Sequence, residues 1–204
     1  MKALALLLLV GCASSFQSAR TLAPGKTQVT AGLARVMPTE GSGHANVGDV
    51  QVRTGISDSV DGGLKLSRTP GAANTVSGIG ADLKLRITDP AAKTTVSFAL
   101  PVGAVWEERG TDWGNGLLTI SPTILIGVEL SPTTELVLGP ALVWVLPDGG
   151  TDNSEAEFAA TIGVRFTDPS RTWAVHPEIG IMHISDSGNS ENLLSFGLGV
   201  AVGN

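Results

Sequence analysis

Cysteine occurs once in the 204 residues, tyrosine not at all, and aromatic and charged residues make up only 4% and 16%. A single cysteine excludes an internal disulfide and any cysteine-built metal site. No helical His/Glu metal motif and no glycine loop of the phosphate-binding kind occurs, so neither a metal nor a cofactor is expected. Charge is scarce for a soluble domain, where about a quarter of residues is usual. The formal net charge of −6 is mildly acidic and argues against nucleic acid as a partner. Beyond the first dozen residues no apolar run approaches the roughly 20 residues of a membrane-spanning helix.

What the chain has instead is alternation. From Gly116 to Leu146 two apolar runs flank Ser131-Pro132-Thr133-Thr134. Leu118, Ile120, Ile124, Ile126, Val128 and Leu130 share one parity of the first run; Leu136, Leu138, Leu142, Trp144 and Leu146 share one parity of the second. Period two is the signature of a strand with unlike faces, and two such strands around a tight turn form a hairpin. The same pattern recurs over 27–37, 49–56, 60–67, 76–88, 94–106, 155–167, 171–185 and 192–203, giving about ten strands. Tight turns centre on Asp58, Asp89, Pro132 and Asp168, while longer connections cover 38–48, 67–75, 107–115, 147–154 and 186–191. Short turns at one end and longer loops at the other predict an up-and-down antiparallel transmembrane β-barrel of about ten strands. Pro101, Pro122, Pro140 and Pro177 fall inside strands, where each removes a ladder hydrogen bond and bulges are expected.

The less apolar parity is rich in Gly, Ala, Ser and Thr, which suits a narrow lumen better than a solvated exterior. Phe98, Trp106, Trp144, Phe158, Phe166, Trp173 and Phe196 all fall on the apolar parity, several near strand ends, as an aromatic girdle would. The alternative is a lipid-tethered soluble β-domain in the periplasm that binds a partner. Arg53, Asp61, Lys65, Asp82, Lys84, Arg86, Glu129, Glu135, Glu157, Arg165 and Glu178 collect on the lumen parity. Inside a narrow wall such charges must pair or meet water. They are expected to fix the barrel as a salt-bridged network or to line a narrow polar conduit. His176 is expected to be a hydrogen-bonding group of the same lumen.

The N-terminus carries Met1-Lys2, an apolar run, and Leu9-Val10-Gly11-Cys12. This resembles the lipobox of bacterial lipoproteins. The resemblance implies a signal peptide over 1–11, a covalent lipid on Cys12 and, with Ala13 following, export to the outer membrane of a Gram-negative bacterium. Residues 12–26 then read as a lipidated tether and 27–204 as the barrel. An even strand count puts both chain ends on the short-turn side, matching a periplasmic N-terminus. Outer-membrane lipid is the expected partner; the sequence names no protein partner.

Near the C-terminus, His183-Ile184-Ser185-Asp186 is followed by Glu191 and Asn192. This is similar to the His-x-Ser-Asn motif of the lipid A 3-O-deacylase family, with Asp186 in place of Asn. The resemblance implies Ser185 as nucleophile, His183 as its base and Glu191 as the orienting acid of an outer-leaflet serine esterase.

Overall fold

In a computed structural model of the chain, residues 16–40, 43–69, 75–109, 112–147, 155–186 and 189–203 are described. Eleven strands carry them: β1 Thr27–Pro38, β2 Ala45–Ser57, β3 Val60–Arg68, β4 Thr75–Arg86, β5 Thr94–Arg109, β6 Asp112–Ile120, β7 Thr123–Ser131, β8 Thr134–Pro147, β9 Glu155–Thr167, β10 Trp173–Asp186 and β11 Asn189–Val202. Every named pairing is antiparallel, strands consecutive in sequence pair with one another except β6 and β7, and β1 pairs with β11 to close the ring. Closure leaves no sheet edge exposed.

The β6 and β7 segments occupy a single wall position. Both pair with β5 on one side and β8 on the other, and the register is the same before and after the break at Ser121-Pro122. The molecule is therefore a closed barrel of ten wall positions, all-β and antiparallel.

The expected bulges at proline do not form. Pro122 interrupts the strand, Pro140 opens a gap in the β7–β8 ladder and Pro177 opens one between β9 and β10, each without a shift of register. Pro101 keeps its place opposite Asp82. A missing N–H deletes a bond but inserts no residue, so the ladder resumes in phase. The actual register shifts lie at Gly55–Ser57, Trp106–Glu108 and Glu129–Ser131, close to strand ends.

The turns at Asp58, Asp89, Pro132 and Asp168 share one end of the barrel, here the turn end, together with both Lys26 and Gly203. At Asp168, slight desolvation raises the carboxyl. Hydrogen bonds from the Ser170 hydroxyl and the Trp173 N–H (2.8 Å) outweigh it and hold the group below the usual carboxylate range. The opposite, loop end is less loop-rich than the sequence suggests. Strands β5 and β6 are joined through 110–111 and β10 and β11 through 187–188, so two of the five expected long loops are hairpins. Backbone pairing needs no apolar side chain, and it continues past the point where the hydrophobic alternation fades.

The outer face is a continuous apolar belt. Among the described residues thirty large hydrophobic side chains are exposed, including Leu33, Leu64, Leu83, Leu118, Ile162, Leu198 and the predicted girdle residues Phe98, Trp144, Phe158, Phe166, Trp173 and Phe196. An apolar patch of a few hundred Å² is the usual upper range on a soluble monomer. A belt around a whole barrel has one suitable solvent, which is lipid.

Candidate functional site

The wall gives the lumen two levels, set by which residues the strands turn inward. At the loop end the inward side chains are Val36, Val47, Val143, Val145, Met182, Ile184 and Leu193, all buried and clustered together, while Leu117 links them to Val76 and Val105. They form an apolar collar. Toward the turn end the inward residues become charged, and threaded among them, below the collar, lies a segment that is not part of the wall.

That segment is 16–26. The part of the expected tether that is described is not a free linker; it enters the barrel at the turn end and is packed inside. The backbone is fastened at the rim by hydrogen bonds from Gly25 N to Gly55 O and from Gly55 N to Lys26 O, both 2.9 Å. Farther in, Leu22 N donates to Asp61 Oδ2 (3.0 Å), Ser18 Oγ to Glu135 Oε2 (2.7 Å) and Ser97 Oγ to Ala19 O (2.5 Å). Arg20 pairs with Glu129. Lys84 Nζ donates to the carbonyl oxygens of Ser18 (3.0 Å) and Arg20 (2.9 Å). At the tip, Phe16 is 1% exposed. Its ring fills a hollow left by Gly32, Gly197 and Gly199, where a Cβ on Gly199 would lie 2.7 Å from the ring. His176 meets that ring edge-on, centroids 6.3 Å apart, within the favourable range for aromatic pairs.

The charge cluster around Lys84 holds the segment. Asp61, 0% exposed, pairs with Arg53 and with Lys84 Nζ at 3.2 Å. Arg53 also reaches Asp82 at 2.6 Å, and Gln51 Nε2 donates to Asp82 at 3.2 Å. Two cations face two carboxylates, so the cluster is neutral in a setting where an unpaired charge is costly. The remaining lumen charges are more dispersed. Lys65 pairs with Asp49 at 3.4 Å, and Arg86 donates to the Asp58 carbonyl at the rim (2.6 Å). Glu157 and Glu178 are buried and engaged with partner groups, and Arg165 is buried beside Glu135. All eleven charges predicted for the lumen share the inner face, and Arg53, Asp61, Asp82 and Lys84 form one network. Ser18 and Arg20 join that network through the carbonyl oxygens held by Lys84, and Asp49 is added to the lumen charges as the partner of Lys65.

The esterase residues do not assemble in the same way. His183 and Ser185 are exposed on the outer face. His183 Nδ1 lies 2.9 Å from Asn192 Oδ1, its cross-strand neighbour. Glu191 pairs in register with Ile184, which points into the collar, so Glu191 starts from the opposite face of the wall. Cys12 lies outside the described residues, as do residues 187 and 188 between Ser185 and Glu191. Among the described residues no three His, Cys, Asp or Glu side chains come together as a metal site would require.

No family model and no curated protein matches the chain in sequence. Solved structures match it in shape. An outer membrane channel from Pseudomonas putida F1 superposes with a TM-score of 0.58 at 10% identity, over 91% of this chain and 98% of that one. A bacterial polysaccharide outer membrane secretin gives 0.53 at 12% identity over 87% of this chain, which spans only 64% of that protein. The translocator domain of the autotransporter NalP from Neisseria meningitidis gives 0.51 at 12%, over 87% and 88%. Identities this low carry fold alone, and the fold is that of the outer-membrane β-barrels.

Proposed function

We propose that this protein is an outer-membrane β-barrel lipoprotein whose lumen is closed by its own N-terminal segment, serving the envelope as a structural element rather than as an open pore. The observation that carries this reading is the seating of 16–26, with Phe16 in the glycine hollow and Lys84 gripping two backbone carbonyls. The apolar collar above it is a second barrier to ions. The apolar belt supports a membrane location, and the outer-membrane barrels of like fold support which membrane. The lipobox-like Leu9-Val10-Gly11-Cys12, on the same stretch of chain as the segment that enters at the turn end, supports a periplasmic turn end.

Lipid on Cys12 and the seat of Phe16 make competing demands. Four residues reach at most about 14 Å. Phe16 is level with Gly32, five residues into β1, or about 13 Å above the rim for a strand tilted by roughly 40°. An acylated Cys12 in the inner leaflet would thus draw on nearly the whole slack of the segment.

The test is planar-bilayer recording of the chain with Cys12→Ser, which removes that pull. Silence is the expected result at moderate voltage; regular step currents from this Cys12→Ser chain would contradict a closed lumen and favour the narrow conduit.

A further inference from the structure

Beside the inserted segment, a cavity of about 190 Å³ opens at the turn end. Its lining is unbalanced: Arg20, Arg53, Lys84, Arg165 and Arg171 against Glu129 and Glu135. Three of these cations are already committed, Arg20 to Glu129, and Arg53 and Lys84 to the neutral cluster with Asp61 and Asp82. Arg165 and Arg171 remain.

Arg165 is 7% exposed, and its Nη1 has no hydrogen-bond partner among the described residues. Glu135 lies across from it in register. One oxygen of that carboxylate is taken by Ser18 Oγ, and no ion pair within 4.0 Å joins Glu135 to Arg165. Arg171 stands exposed at the rim, in the turn after β9 and in a left-handed backbone conformation (φ 59°). Arg165, a buried guanidinium that lines the cavity and keeps one N–H unpartnered, and Arg171 at the mouth make an arrangement suited to oxyanions, since the planar fork matches two oxygens of a phosphate.

We propose that this cavity binds a small oxyanion, inorganic phosphate or a compact phosphate-bearing solute, with Arg165 as the deep donor and Arg171 as the entry group. The proposal rests on the closed-lumen reading only in placing the cavity on the periplasmic side. Equilibrium binding is measured without current, so the two ideas fail separately.

The experiment is calorimetric titration of the full folded chain in detergent with sodium phosphate at constant ionic strength, with chloride as the control anion. Saturable phosphate binding is expected. Arg165→Gln weakens it about tenfold or more, the worth of a charge-assisted hydrogen bond. Arg171→Gln weakens it about two- to threefold, as for an exposed charge. Glu135→Gln strengthens it by removing a like-charged neighbour, an effect that a purely structural role for Arg165 does not produce. Heat-modifiable gel migration confirms folding. Should Arg165→Gln not fold, Arg165→Lys keeps the charge while removing the fork, and its loss of affinity carries the test. No saturable binding, or equal affinity in the Arg165 and Glu135 variants, overturns the proposal.

Discussion

Lys84→Met is expected to release the inserted segment and to destabilise the barrel by about 3–5 kcal/mol, the range for breaking a buried charge pair. Lys84 is 2% exposed and makes three contacts at once, to Asp61 and to the carbonyls of Ser18 and Arg20. Methionine has similar length and keeps the packing, so the loss falls on the charge. The cluster then holds one cation, Arg53, against Asp61 and Asp82. Adding Asp61→Asn restores neutrality and is expected to recover part of the stability. It does not recover the segment, because the grip on the two carbonyls is still missing. Arg20 provides the readout: trypsin leaves it intact while it is seated beside Glu129 and cleaves after it once the segment is free. Full stability together with trypsin resistance in the single variant would show that Lys84 holds neither.

The second large effect concerns the outer face. Leu198→Arg, near the middle of β11, is expected to cost about 2–4 kcal/mol in a bilayer, as cations do at the midplane of a barrel's lipid face. Leu198 is 51% exposed, and on a water-soluble barrel the same surface substitution would stay within about 0.5 kcal/mol. Urea titration of the chain folded into lipid vesicles separates the two. A near-zero effect would restore the soluble, tethered β-domain.

The wall was legible because its code is local. Runs such as Leu136, Leu138, Leu142 and Trp144 announce one face by parity alone, and the break at Pro122 did not disguise that β6 and β7 are one wall position. The prolines were harder: sequence shows that a donor is missing but not whether the ladder shifts, and here it does not.

The collar was hidden for a related reason. Val143 and Val145 lie between Leu142, Trp144 and Leu146, so apolar residues occupy both parities and the inner face cannot be told from the outer one. The inserted segment is invisible to parity. Small polar residues such as Ser18 and Gln17 look like a linker, and only closure of the barrel brings Glu135, Ser97 and Lys84 around them. One signal was present: Gly32, Gly197 and Gly199 leave a hollow on adjoining strands, and Phe16 is the nearest aromatic outside the wall. The esterase motif shows the opposite failing. Its spacing is attractive in one dimension, but pairing sets Glu191 beside Ile184 and gives His183 to Asn192.

Residues 16–26 are an integral part of the barrel's interior. The most direct measurement is backbone hydrogen exchange of the Cys12→Ser chain folded in lipid bilayers, followed at Gln17 to Leu22. These amides are expected to exchange as slowly as those of β1 and β11 beside them. Exchange at the rate of a free peptide, with the wall itself protected, would contradict it.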